Sequence, residues 1–293
     1  MTKLLISGGS GFVGQNLAEF FAPRYTVVTT HLSRPPAVTE LNTQSVQLDV
    51  RDAGATFRVF ERVKPDVVIH AAGNKNVRFC EDHPDEAYRI NALATQNVAR
   101  ACRDFGARMI YLSSDLVFSC VSGNYKEHDS PQPASVYGAS KLEGERLALQ
   151  ETGDVVVCRS GGIYGKKSPL LSWFASEVGA GRSVECFVDV FNTPTYVENL
   201  AEMLEAIIRK RLVGVFHTAG RERVSRYEFF QSYARAFGLD VNLISPVSRE
   251  GLEAGAFLQP DSSLSTEQTS GRLGIPFNSV AEGFARLKTL GGV

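Results

Sequence analysis

No charge excess, no long apolar run and no paired cysteines mark this chain. Its 31 Lys and Arg balance 32 Asp and Glu to a net charge of -1, so no global field draws it to nucleic acid or to an anionic membrane. Apolar runs stop short of the ~18 residues a membrane span needs. The opening MTKLLIS runs straight into glycines rather than into a charged and then apolar secretory leader. The five cysteines, Cys80, Cys102, Cys120, Cys158 and Cys186, are odd in number and widely spaced, with no C-x-x-C pair and no companion histidines. The reading is of buried, reduced thiols in a cytoplasmic protein, with no disulfide and no bound metal. A small molecule of modest charge is the expected partner.

What is present is a rhythm. Over 293 residues, 43% of them hydrophobic, short Val/Ile/Leu runs alternate with segments of helical period. Strands are expected at 3–7, 26–30, 45–49, 66–72, 108–114, 155–160 and 214–220. Helices are expected near 12–21, 53–63, 84–103, 136–152, 169–180 and 197–210. Strands that read as continuous apolar runs are buried on both faces, as a parallel sheet covered by helices requires. The alternation therefore predicts an α/β fold built on a doubly wound parallel sheet. After residue 220 come helices at 225–237 and 279–289 with irregular connections. Residues 1–164 are read as the core and 165–293 as mostly a smaller, interleaved C-terminal lobe, with 196–220 returning to the core.

Between the first strand and the first helix, Gly8, Gly11 and Gly14 stand in the pattern G-x-x-G-x-x-G, with Ser10, Phe12 and Val13 between them. This spacing permits a tight turn, lets the backbone approach a pyrophosphate and aims helix N–H groups at its charge. A dinucleotide is the expected occupant. The second strand ends in Thr29-Thr30-His31-Leu32-Ser33-Arg34, without the acidic residue that would accept from a ribose 2'-hydroxyl. Arg34, with Ser33 and His31, suits a 2'-phosphate instead, so NADP is favoured and NAD stays compatible. Asp49 and Val50, after the third strand, are assigned to the adenine. Ala71, Ala72 and Gly73 leave room for the cofactor backbone.

Tyr137 and Lys141 stand four residues apart in SVYGASKLEGE, so both lie on one helix face. A phenol titrating near ~10 is a poor acid at neutral pH, and a neighbouring ammonium lowers that value by stabilising phenolate. Upstream, the fifth strand ends in Ser113-Ser114-Asp115, where a hydroxyl can meet a substrate carbonyl oxygen.

Together GGSGFVG, VVIHAAG, YLSSD, YGASK and RSGGIYG resemble the extended short-chain dehydrogenases/reductases. Within them, LSSDLVF, YKEHDSPQPASVYGASKLEGE and VDVFNTPTYVENLA are similar to the dTDP-4-dehydrorhamnose reductase family of nucleotide-sugar ketone reductases. The resemblance implies a Rossmann sheet and hydride transfer from NADPH to a keto-sugar, nucleotide-linked or free. It implies Tyr137 as proton donor, Lys141 on the nicotinamide ribose, and Ser114 orienting the carbonyl with Ser113 as runner-up. Asn91 would shape the region beside the cofactor, and Asp115, Tyr164 and Asn192 would touch the sugar. A homodimer is a further implication.

The pattern departs from its relatives in three places. Leu116 follows Asp115 where related dehydratases carry an Asp-Glu pair, which disfavours loss of water. The family's Arg-Pro pair reads Gln259-Pro260 here, followed by Asp261-Ser262-Ser263-Leu264-Ser265-Thr266, so either the substrate differs or Arg221, Arg223 or Arg226 supplies the charge. Lys75 and Arg78 make the loop after the fourth strand unusually basic. Two other functions share these residues: an epimerase that recycles its cofactor, and a non-catalytic NADP-binding regulatory subunit docked on a partner enzyme. The intact Ser114, Tyr137 and Lys141 set argues against the second.

Overall fold

The structure, a computed structural model, describes residues 1–35, 43–250 and 258–291. The first half runs β1 (Lys3–Ser7), α1 (Phe12–Phe21), β2 (Thr26–His31), β3 (Thr43–Gln47), α2 (Ala53–Val63), β4 (Val67–His70), α3 (Val77–Asp82), α4 (Pro84–Tyr88), a π-helical turn (Arg89–Leu93), α5 (Ala94–Phe105), β5 (Arg108–Ser114) and α6 (Val136–Glu151). The second half runs β6 (Val155–Ser160), β7 (Ile163–Tyr164), α7 (Pro169–Gly179), β8 (Val184–Phe187), β9 (Phe191–Asn192), β10 (Thr195–Tyr196), α8 (Val197–Arg209), β11 (Gly214–His217), β12 (Val224–Ser225), α9 (Arg226–Phe237), β13 (Ile244–Val247), α10 (Glu267–Leu273) and α11 (Val280–Thr289).

Seven strands form one sheet in the order β11-β6-β5-β4-β1-β2-β3, every pair parallel. Every residue of β4, β5 and β6 is buried, which is why these stretches read as unbroken apolar runs. Leu17, Phe21, Leu200, Leu204 and Phe216 fill one face beneath α1 and α8. Phe60, Val98, Met109 and Tyr111 fill the other, beneath α2 and α5. The strand order reverses between β1 and β4, the place where parallel sheets of this kind open a crevice for ligand.

A third core lies outside the sheet. Tyr164, Phe174, Phe229, Phe230, Tyr233 and Phe284 stack there, with Phe174 and Phe230 4.3 Å apart between ring centroids. It joins α7, α9 and α11 with the short strands β8 and β13. No helix among the described residues is long and apolar enough to cross a membrane.

The structure corrects several boundaries. The third strand begins two residues before the expected 45–49, because β3 is an edge strand with exposed side chains and carries no continuous apolar run. The helix expected over 84–103 is three pieces, interrupted by the π turn at Arg89–Leu93. Helices α3 and α10 were not foreseen.

Candidate active site

Gly8 follows β1 at φ +71, and a Cβ there would lie 2.9 Å from the Ala72 backbone. A Cβ on Gly14 would lie 2.3 Å from the Gly8 carbonyl oxygen. The turn is therefore closed against the β4 loop on one side and its own helix on the other. Gly11, the residue before α1, offers no side chain to cap the first-turn N–H groups, which leaves them for an anion.

Above this turn a cavity of about 320 Å³ is lined by Gly8, Ser10, Gly11, His31, Asp49, Val50 and Ala71 to Gly73. A second of about 230 Å³ shares Gly8, Gly11 and Ala71 to Gly73, and adds Phe12, Val13, Gly14, Asn91, Tyr137 and Lys141. Small residues, an uncapped helix start and an elongated crevice fit a dinucleotide. Of the residues assigned to the cofactor from sequence, Ser33 and Arg34 alone line neither cavity; both are exposed at the end of β2. The cation lining the first cavity is Arg51, which grips Asp49 with two nitrogens, at 2.7 and 2.9 Å, and Glu86 at 2.7 Å. Asp49 is consequently held below the usual carboxylate range by its hydrogen bonds with Arg51.

A buried chain of hydrogen bonds fixes the walls of the crevice. Ser7 Oγ accepts from the Ala71 and Ala72 N–H groups, so its proton goes to His70 Nδ1 at 2.6 Å. That assigns the other proton to His70 Nε2, which donates to Thr95 Oγ1 at 3.1 Å, and Thr95 in turn donates to the Asn91 carbonyl oxygen. Burial, aided by Lys141, pushes His70 down to about 3 and keeps it neutral. Asn91 sits in the π turn, a distortion frequent at functional sites. Its amide clasps Asn74 by both backbone groups and donates to Ser140 Oγ at 3.0 Å, tying the β4 loop to α6.

Helix α6 holds Tyr137 and Lys141 at the crevice because its start is pinned twice. Ser135 Oγ accepts from the Gly138 N–H, and Glu81 of α3 accepts from the Val136 N–H. A Cβ on Gly138 would lie 2.0 Å from the Leu116 carbonyl oxygen, so glycine lets the helix press against the turn that follows β5. Tyr137 is thereby brought beside Ser114. Lys141 is buried, with Nζ donating to the Leu112 carbonyl oxygen at 2.7 Å and lying 4.1 Å from the Tyr111 ring centroid.

The expected depression of the Tyr137 phenol by Lys141 does not appear in this geometry. Burial raises Tyr137 to about 12 against the opposing bond from Ser114, and burial lowers Lys141 to about 7. The ammonium has turned to Leu112 rather than to the phenol. Ser113 lines the crevice and gives its proton to Glu145, which forms a bidentate buried pair with Arg159 at 2.7 and 3.0 Å, while Ser114 lies outside that lining and gives its proton to Asp115 at 2.9 Å.

Asn192 and Tyr164 line a separate cavity of about 200 Å³ with Arg226, Leu170, Phe229 and Phe230. Tyr164 is a core residue, 2% exposed, whose hydroxyl points to the Val280 carbonyl oxygen at 3.5 Å. It walls the cavity and its polar tip is spent. Of the three arginines weighed for the missing charge, Arg221 pairs with Glu282, Arg223 pairs with Asp261 at 2.7 Å and Arg226 alone lines this cavity. Lys75 lines the crevice, whereas Arg78 bonds Asp82 on its own helix.

A parallel sheet reversing at β1 and β4, a glycine turn beneath the crevice, and a tyrosine and a lysine on its wall define a dinucleotide-dependent oxidoreductase of the short-chain type. Residues 1–289 match the family described as the RmlD substrate binding domain, and the chain belongs to that family. It is 30% identical to the dTDP-4-dehydrorhamnose reductase of Aggregatibacter actinomycetemcomitans, over 78% of this chain and 77% of that protein. It is likewise 30% identical to the methionine adenosyltransferase 2 subunit beta of Xenopus tropicalis, over 86% and 77%. The crystal structure of dTDP-4-dehydrorhamnose reductase from Bacillus anthracis str. Ames in complex with NADP superposes with a TM-score of 0.88 at 26% identity, covering 99% of this chain and 100% of that one.

Proposed function

We propose that the protein reduces the ketone of a nucleotide-linked keto-sugar at the expense of NADPH, as a dTDP-4-dehydrorhamnose reductase does. The observation that carries this reading is the placing of Tyr137 and Lys141 on the wall of a crevice of dinucleotide shape, with Ser114 beside Tyr137. NADPH, when bound, supplies the hydride. Gly8 to Gly14 would hold its pyrophosphate at the start of α1, and Asp49, Val50 and Arg51 its adenosine end.

The residues of the chain handle the proton. Tyr137, raised to about 12, is fully protonated at neutral pH and ready to donate to the ketone oxygen as negative charge develops there. Ser114 supplies a second donor to that oxygen. Lys141, freed from Leu112, would bond the ribose hydroxyls. Residues 1–164 with 196–220 would serve as the cofactor-binding core, against which Leu273 and Phe277 also pack, and α7, α9 and α11 as the lobe that borders the sugar.

NADPH absorbance is followed with dTDP-4-keto-6-deoxy sugars as substrates. Turnover abolished by Tyr137→Phe, with NADPH affinity near that of the parent, is the expected result; turnover retained by the variant overturns the mechanism. The relatives named as methionine adenosyltransferase subunits favour a second reading, a regulatory subunit that binds NADP. Tight NADPH binding without consumption across the sugars would select it.

A further inference from the structure

The segment that carries Ser262 reaches into the catalytic hydrogen bonds from 147 residues away. Asp115 is 7% exposed, and a hydroxyl engages each of its carboxyl oxygens. Ser114 donates to Oδ1 at 2.9 Å and Ser262 donates to Oδ2 at 2.6 Å. Ser262 is held in register by its own N–H, which donates to the Phe191 carbonyl oxygen, and by the Asp261 N–H, which donates to that of Cys120.

With the Tyr137 phenol turned to the ketone in the substrate complex, Ser114 Oγ is left with one proton and two lone pairs, and it accepts from the Leu116 N–H. While Asp115 is ionised, that proton is committed to Oδ1. A ketone oxygen approaching Ser114 then meets an acceptor, with a carboxylate behind it opposing the developing alkoxide. With a proton on Oδ1 the direction reverses: the carboxyl donates to Ser114, both Ser114 lone pairs are filled, and its own proton is free for the ketone.

We infer, resting on the reductase reading above, that Asp115 sets the direction of the Ser114 hydroxyl and that the chain reduces its substrate with Asp115 protonated. Ser262 works in the opposite sense, because its donation to Oδ2 favours the carboxylate. Asp115 is thus a positioning residue under control of the C-terminal lobe. The ionisable groups around it are Tyr137 on α6, Cys120 in the loop after β5, and Asp261 beside Ser262, itself paired with Arg223. Burial raises Asp115 to about 6, against the opposing bonds from Ser262 and Ser114, so both forms are within reach near neutrality.

The test is the dependence of kcat on pH, with a parallel carbon NMR titration of Asp carboxyls in the full chain, where Asp115→Asn assigns the signal. Above pH ~7 the parent should lose roughly 100-fold in kcat per pH unit, one proton belonging to Asp115 and one to Lys141. Asp115→Asn keeps a donor towards Ser114 at every pH, so its fall should be roughly 10-fold per unit. Ser262→Ala should move both the NMR midpoint and the first step of the rate profile upward. An Asp115→Asn profile as steep as the parent's, or a midpoint unmoved in Ser262→Ala, overturns the inference. Absence of turnover in the parent would refute the reductase reading, while the NMR midpoint separately decides whether Ser262 controls Asp115.

Discussion

Breaking the Glu145 and Arg159 pair should be the most costly single polar substitution near the site. Both side chains are nearly sealed, at 4% and 5% exposure. Arg159 Nε and Nη2 meet the two carboxyl oxygens of Glu145 at 3.0 and 2.7 Å, Ser113 adds a third donor, and Arg159 Nη1 is buried without a hydrogen-bond partner among the described residues. Glu145→Gln keeps the volume but leaves a guanidinium desolvated beside a neutral amide. Removing one member of such a pair costs about 3–5 kcal/mol, whereas replacing both by apolar groups of similar volume is often neutral or stabilising. Urea denaturation should therefore show a loss of about 3–5 kcal/mol for Glu145→Gln, and a smaller loss for Glu145→Met combined with Arg159→Met. The substitution also removes the anion one turn from Lys141 that favours its charged form, so less of Lys141 should be protonated at neutral pH. A loss below about 1 kcal/mol for Glu145→Gln would refute the reasoning, since it would mean that water already screens the pair.

Other substitutions test the cofactor crevice. Arg51→Ala should raise the Kd for NADPH roughly tenfold, the loss of one charge-assisted contact, and should affect NADH less; equal effects on both would show that Arg51 does not read the 2'-phosphate. Arg34→Glu, at an exposed position outside the cavity, should discriminate less than Arg51→Ala, and a larger selective loss of NADPH would return the role to Arg34. Gly14→Ala should weaken NADPH binding and lower Tm together, because the added Cβ meets backbone of Gly8 and Gly9 rather than a movable side chain. Parental Tm and Kd in that variant would show that the turn can open at little cost.

The parts of the site that could be read from the chain are those whose chemistry is local. The glycines at 8, 11 and 14 act through backbone geometry within one turn, and Tyr137 and Lys141 through one turn of helix, so spacing alone carries them. The buried strands are legible because β4, β5 and β6 are buried on both faces and built around runs of Val, Ile, Met and Leu, while the exposed edge strand β3 hides its own start. What stayed illegible is polar pairing across the fold. Arg159 ends the strand VVVCRS and Glu145 lies two turns beyond Tyr137 on α6, and nothing in either segment indicates that the two are sealed against each other. Arg51 was passed over because the rule for reading adenosine looks to the end of β2, while the parallel register places the end of β3 beside it. In the sequence Ser262 is one hydroxyl in a C-terminal run, because its meaning depends on a carboxylate that the segment reaches through contacts with Phe191 and Cys120. Local rules locate the glycine turn, Tyr137 and Lys141 of the proposed site. The groups that set the protonation of that site are long-range partners, and their assignment had to wait for the fold.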